Sequence, residues 1–551
     1  MEYKITGKEN INFNNNAFYC IGTGRMGLAL QKQYYEQLKL VQDTIGFEHI
    51  RGHGLFCKDM FIYHEYAASG KFYPGGKIPE NEEICVEYNW TYLDMVMDSY
   101  KELKIRPFIE LGFMPDQLAS GEQTVFYWKG NVTPPSSYDR WCDLVKATLN
   151  HLIELYGREE VVQWPVEVWN EPNLTAFWKD ADMKEYFKLY DKTSRAVKEV
   201  DQRFKVGGPA VCGGSDKEWV TAFLEYVHDN DCPLDFVSRH HYTTENPAHD
   251  GHYGYPKLHA KEKCFEQLEA TRGIVDSFPQ FKDMDIHVTE FNTSYIPNAP
   301  VHDMNLNAAY IANMLATFGD NHKSYSYWTF GDIFEEFGVP YTPFHGGFGL
   351  VANGLIPKPT FWTFAFYKKL LGDYEKCVLR TPECIVVQCR SGNCANDGNC
   401  TGNTGCTCGT ESAAGDVYYK GIAWNVDTEM SGKQIELNLE LPLCDDGNAA
   451  SAIPTASGAD SAAVLPPNVL ITQLVDEEVC NPLKVWHDLG EHANPSADEV
   501  ALLRSAANPF VQTKRCGNKI KLSLKENAVC YFEVKTAPIV SDRGYEYGRL
   551  E

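Results

Sequence analysis

The chain has no apolar run approaching the roughly 20 residues that a membrane span needs, and its first residues, Met1 to Lys8, lack the apolar stretch of a signal peptide. A cytoplasmic protein with no membrane contact is the expectation. Basic residues are scarce: 50 Lys and Arg stand against 75 Asp and Glu, a formal charge of −25. Such a surface repels phosphate backbones, so nucleic acid is not an expected partner. The one dense cysteine cluster, Cys384, Cys389, Cys394, Cys400, Cys406 and Cys408, contains no Cys-x-x-Cys pair, and that spacing argues against a structural zinc. No internal repeat exists beyond an alternation of strand and helix.

Present instead are 551 residues, 13% of them aromatic, and 18 cysteines. The length suits two or three domains, one of which can be a β/α barrel taking well over half the chain. Seven cysteines scatter through the first 264 residues and read as buried thiols. The cluster from Cys384 to Cys408 lies in a Gly/Asn/Thr-rich stretch and reads as a loop insertion, either reduced or disulfide-linked.

Runs of β-branched and aromatic residues separated by helical periodicity predict eight strands. They are Ala17 to Gly22, His49 to Phe56, Arg106 to Met114, Val161 to Trp169, Phe204 to Val211, Asp235 to Tyr242, Asp285 to Phe291 and Ser324 to Phe330. Among the helices between them, one is predicted after Asp182, capped there and paired with Glu185. Eight such units imply a closed (β/α)₈ TIM barrel over residues 16–372, ending in a helix from Thr360 to Leu371. Residues 373–551 show short alternating strands, Val417 to Trp424, Ile435 to Leu441 and Lys519 to Leu524, divided by turn residues. That pattern predicts a C-terminal β-sandwich accessory domain. It carries a short helical segment at Ser496 to Ala506, the cysteine-rich insertion 384–408, a second insertion from Cys444 to Leu465 and an Ala/Ser-rich loop from Ala449 to Ala463.

In a barrel of this kind, side chains at the C-terminal strand ends converge on one mouth. Those ends are His53, Glu110, Asn170, Glu171, His240, His241, Tyr242, Glu290 and Trp328. Glu171 follows Val166-Glu167-Val168-Trp169-Asn170, and Glu290 follows Val288-Thr289, so two glutamates end the fourth and seventh strands. Acid-assisted glycoside cleavage needs one carboxylic acid held protonated and one carboxylate held ionised. Singly, a strand-end glutamate is more often a salt-bridge or capping residue; the shared address of the two favours catalysis. His53 and His240 read equally well as structural hydrogen-bonders, Trp328 as a packed indole, and Glu110 as a carboxylate beneath the site.

Several blocks resemble glycoside hydrolase family 39, especially its bacterial β-xylosidases: Arg51-Gly52-His53-Gly54, Phe108 to Pro115, Glu167 to Leu174, Arg239 to Tyr242, Val288 to Tyr295, Tyr327 to Phe330, Phe334-Glu335-Glu336 and Phe344 to Leu350. The resemblance implies a retaining, exo-acting enzyme with Glu171 as acid/base and Glu290 as nucleophile, their carboxyls about 5 Å apart. It further implies that Asn170 holds the sugar 2-hydroxyl, that His53, His240, Tyr242 and Glu335 contact ring hydroxyls, that Tyr295 lies near the nucleophile and that Trp328 stacks on the sugar. No metal or cofactor is called for. In relatives the N-terminal segment, here residues 1–15, joins the sandwich. The implied substrate is a β-1,4-xylo-oligosaccharide trimmed of xylose from its non-reducing end. An arabinoside, galactoside or iduronide hydrolase is the alternative within the family, and only Arg51 and Arg239 stand at strand ends to receive a uronic acid. A non-catalytic carbohydrate-binding or cysteine-dependent metal protein is the alternative of another class. Assembly into a homo-oligomer is left open.

Overall fold

The computed structural model describes residues 1–13, 16–73, 78–79, 81–390, 417–443 and 468–536. Eight parallel strands close into a barrel in chain order: Cys20–Thr23, His49–Gly52, Arg106–Leu111, Val166–Val168, Val206–Val211, Phe236–Tyr242, Ile286–Asn292 and Ser324–Tyr327. Closure is made where Ser326 and Tyr327 pair with Cys20 and Ile21. The strands of Val206–Val211 and Ile286–Asn292 are buried throughout, as expected of parallel strands covered on both faces. Helices cover the outside; in Met183–Val200 a stripe including Tyr186, Leu189, Tyr190 and Val197 packs inward.

Local chemistry sets the element ends. The Asp182 side chain accepts from the backbone N–H groups of Lys184 and Glu185, which starts that helix. The Glu185 carboxylate, predicted to close a capping box, instead accepts from the Tyr138 hydroxyl at 2.6 Å. Val161, read as the start of the fourth strand, instead ends the helical turn Arg158–Val161, and the strand is limited to Val166–Val168.

Beneath the mouth, the barrel floor is a neutral plug of rings. Tyr19 stacks on His49 at 4.5 Å, while His287 meets Phe236 at 4.8 Å and Phe108 at 5.5 Å. Burial pushes the imidazoles of His49 and His287 down to about 4 and about 3, which leaves both uncharged.

Beyond the last barrel helix, Pro359–Leu371, two sheets face each other. The larger is antiparallel, in the order Tyr374–Thr381, Cys384–Arg390, Val417–Trp424, Val529–Thr536, Asn468–Val475 and Phe510–Cys516. The smaller joins Ile435–Glu440 to Lys519–Leu524 and, on its other edge, to the N-terminal strand Glu2–Lys4 in parallel register. Lys519–Leu524 alternates exposed and buried positions, and its Ile520, Leu522 and Leu524 pack with Val386, Leu470 and Phe532 in the inter-sheet core. Cys384 and Cys389, read as part of a loop insertion, are strand residues, each paired with both flanking strands and buried with free thiols. Cys394, Cys400, Cys406, Cys408, the second insertion from Cys444 to Leu465 and the Ala449 to Ala463 loop lie outside the described residues. The helix Ala497–Ala506 begins in a Ser496/Glu499 capping box, and a further helix, Pro482–Asp488, precedes it.

Candidate active site

The barrel mouth is organised around one buried arginine. Arg51, from the second strand, donates Nε to Glu167 at 2.6 Å, Nη1 to Glu290 at 2.7 Å and Nη2 to Asn170 at 2.9 Å, with Glu110 also 2.9 Å from Nη2. Burial works against its charge, and the carboxylates of Glu167, Glu110 and Glu290 outweigh that. Thr289 donates to the other oxygen of Glu167 at 2.8 Å. Apart from Asn170, two residues past the fourth strand, the side chains in this group come from barrel strands, so the position of Glu290, and of Asn170 through Arg51, is fixed before any ligand arrives.

Glu171 stands opposite Glu290. Its backbone φ of 44°, with 73° at Trp169, is a conformation that side-chain-bearing residues seldom adopt. The Glu171 amide is tied to Ala210 O at 3.1 Å, and the Asn173 side chain bonds both the backbone N–H and the carbonyl of Cys212. The strained turn is thereby stitched to the end of the fifth strand. His240 Nδ1 lies 2.7 Å from Glu171 and 3.3 Å from Glu290. One donor atom from each of these three residues falls within 4.8 Å of the others. A divalent cation would accept that spacing, yet Arg51 already supplies the cation at Glu290 and His240 is engaged by Glu171.

The two carboxyls have different surroundings. Burial, reinforced by the negative charge of Glu290, pushes Glu171 up to about 8. Glu290 receives hydrogen bonds from Arg51 and from the Tyr242 hydroxyl, both at 2.7 Å. Burial, with Arg51 nearby, holds His240 far below the ordinary imidazole range. Its Nε2 and Glu110 Oε1 are buried without a protein partner among the described residues.

Of the residues singled out in the sequence, His53, Asn170, Glu171, His240, Tyr242, Glu290 and Trp328 meet at this mouth. His53 is 2.8 Å from Glu110 and 3.5 Å from Glu290, with its ring 4.7 Å from Trp328. Trp328 packs so closely on the first strand that a Cβ at Gly22 would sit 2.5 Å from its ring. Three residues stand elsewhere, the first being His241, whose Nε2 lies 2.6 Å from Cys264 O. Glu335, read as a sugar contact, turns to Arg25 at 2.6 Å and to Gln31 at 3.4 Å. Tyr295 is 41% exposed, bonds Asn246 and touches the edge of the Tyr242 ring at 6.1 Å. The next residue, Glu336, is the one whose carboxyl is pushed well up by burial and by the charges of Glu290 and Glu171. Sequence reasoning passed over the roles of Glu336, Glu167 and Thr289, and considered Arg51 only as a receiver for a uronic acid.

A barrel whose mouth presents a proton-holding glutamate and an arginine-bound glutamate is built as a glycosidase. Residues 5–378 match the family described as Glycosyl hydrolases family 39, and the chain belongs to that family. It is 44% identical over 532 residues to the β-xylosidase of Geobacillus stearothermophilus, covering 95% of this chain and 93% of that one. With the β-xylosidase of Caldicellulosiruptor saccharolyticus it shares 37% identity over 401 residues, 70% of this chain and 78% of the other. A monomeric β-xylosidase from Caulobacter crescentus CB15 superposes with a TM-score of 0.78 at 26% identity, over 98% of this chain and 100% of its own.

Proposed function

We propose that the enzyme is a retaining exo-β-xylosidase that removes xylose from the non-reducing ends of short β-1,4-xylo-oligosaccharides. The observation that carries the mechanism is the facing pair, Glu171 and Glu290, with donor atoms within 4.8 Å across His240. Two carboxyls this close leave no room for the water that an inverting enzyme places between them. Glu290 attacks the anomeric carbon while Glu171 gives its proton to the departing oxygen, and a glycosyl ester of Glu290 forms. Esterification removes the Glu290 charge that raises Glu171; Glu171 then becomes the stronger acid and, as its carboxylate, takes a proton from water. The water oxygen bonds the anomeric carbon and the Glu290 carboxylate departs.

Asn170 has its Oδ1 held by Arg51, which leaves Nδ2 to donate to the sugar 2-hydroxyl. The unpartnered Nε2 of His240 and the Glu336 carboxyl supply further hydroxyl contacts, beside His53, Tyr242 and the Trp328 ring. Tyr295 serves the rim.

Xylose is chosen on the similarity to the two curated β-xylosidases. An iduronide is disfavoured because neither arginine is free for a uronate: Arg51 is held by carboxylates, and Arg239 turns outward to Asp216 and Thr271. Among the described residues the cysteines other than Cys516 are free thiols, which suits a reducing, cytoplasmic setting, and no helix is long and apolar enough to cross a membrane. Monomer and homo-oligomer are both compatible with this reading. The test is intact-mass analysis after an activated 2-deoxy-2-fluoro-xyloside, alongside turnover of aryl xyloside, arabinoside, galactoside and iduronide. A trapped sugar on Glu290 and preferred xyloside turnover are expected; an active enzyme that forms no adduct overturns the retaining assignment.

A further inference from the structure

The pocket has two unlike sides. Glu171 protonates the departing oxygen, so the leaving group lies on its side, toward the ends of strands four to six. Across Glu290 stand His53 and Trp328, backed by the hairpin of Thr124–Val125 and Gly130–Asn131 and by the loop that follows the eighth strand. The two loops are fastened together: the Tyr127 N–H donates to Glu336 O at 2.7 Å. Phe126, at φ 66°, turns its ring to His53 at 6.2 Å, and Trp128 packs on Phe126 at 5.3 Å.

Arg25 locks this closure. It pairs with Glu335 at 2.6 Å and with Asp59, and lies 6.0 Å over the Trp128 ring, using both the charge and the planar face of its guanidinium. Its turn is tied to the pocket through Met26 N–H to His53 O at 2.9 Å. Behind it opens a second cleft of about 430 Å³ lined by Arg25, Asp59, Met114, Asp116, Trp128 and Asn131. That volume is in the range of small-ligand sites, and the lining is rich in hydroxyl-binding groups. Arg25 and Trp128 thus form a partition. On one side are Glu335 and Phe126, which abut Glu336 and His53, and on the other is a polar cleft on the glycone side.

We propose that Arg25 is the specificity-determining residue that makes the enzyme act only at chain ends, by closing the glycone side against a second sugar. The proposal rests on the glycosidase reading above. An internal xylose carries a further sugar on O4, which would have to pass where Arg25 joins Glu335 to Trp128. Opening the partition would join the pocket to the cleft and create a subsite for that sugar.

The experiment follows the first cut in an aryl β-xylobioside. With the partition closed, wild type must release xylose and aryl xyloside first, so free phenol appears only after a lag. Arg25→Ala is expected to release phenol without a lag, with xylobiose as the first sugar product. Trp128→Ala, which removes the other half of the partition, should do the same and covers the case in which Arg25→Ala does not fold. Xylose as the sole first product from both variants, folded by circular dichroism, overturns the proposal, as does lag-free phenol release by wild type. Aryl xyloside turnover by wild type tests the glycon separately. If another sugar is preferred, the aryl disaccharide of that sugar replaces xylobioside and the position of the first cut is read in the same way.

Discussion

The mouth and the floor of the barrel are both largely buried and oppositely built. At the mouth, Arg51, Glu110, Glu167 and Glu290 are charged-type side chains with little or no exposure, joined by contacts of 2.6–2.9 Å. At the floor, Tyr19, His49, Phe108, Phe236 and His287 meet as neutral rings. Ring packing is the less costly way to fill a barrel, because a buried ion must be paired and hydrogen-bonded to offset its desolvation. The mouth carries that cost where a reaction needs fixed charge, and the floor avoids it.

The contrast is broken most severely at Glu290. Glu290→Gly is expected to lower kcat by about 10⁴-fold or more, with partial recovery on adding azide; steady-state rates near wild type would remove it from the reaction. Glu171→Ala should cost about 10²–10⁴-fold in kcat/KM on xylobiose and far less in kcat/KM on a dinitrophenyl xyloside, whose leaving group needs no proton. Equal losses on both substrates would contradict an acid role.

Arg51→Met tests whether the mouth's charges hold one another. Stranding three carboxylates should destabilise the fold by about 3–5 kcal/mol, read by urea unfolding, along with loss of activity. Proton occupancy of Glu171 gives a smaller signal. Activity requires the protonated acid, so kcat/KM should fall above about pH 8. In Glu290→Gln, direct titration of Glu171 should place its pKa below the wild-type value, since the Glu290 charge is one of the causes that raise it. The same raised pKa bears on stability. Burial of Glu171 carries no ionisation penalty below its unfolded value, and the penalty grows as pH rises toward about 8. Glu171→Gln should therefore raise Tm at pH 9 and not at pH 4. The smallest effect belongs to the floor. His49→Phe removes a ring whose Nε2 is unpartnered, and the Tyr19 carbonyl keeps the His49 backbone N–H as donor. The cost should stay within about 1.5 kcal/mol, with unchanged kinetics; a large loss of activity would show that floor and mouth are coupled.

All eight barrel strands were legible because parallel strands buried on both faces are written as unbroken β-branched and aromatic runs. Their ends put Glu171 and Glu290 at one mouth without further information. Val161, Val162 and Trp164 misled the reading of the fourth strand, since apolar residues of a helical turn look the same as those of a strand. The helix Pro482–Asp488 escaped because seven residues are too few to display a period. Glu335 and Glu336 are neighbours in a loop, where no alternation tells which side chain turns inward; only the ion pair of Glu335 with Arg25 settles it. Glu167 was visible as the inward residue of its strand, but an arginine from a distant strand gives it its role, and such a partnership leaves no mark in local sequence.

The arithmetic around Arg51 has a consequence for the reaction. One cation faces the three carboxylates of Glu110, Glu167 and Glu290. Even with Glu167 protonated, the direction in which burial pushes it, the cluster is short of one positive charge. An oxocarbenium-like sugar at the transition state supplies that missing charge, and the neutral substrate does not. The resting pocket is therefore an incomplete salt that the reacting sugar completes for the lifetime of its barrier crossing.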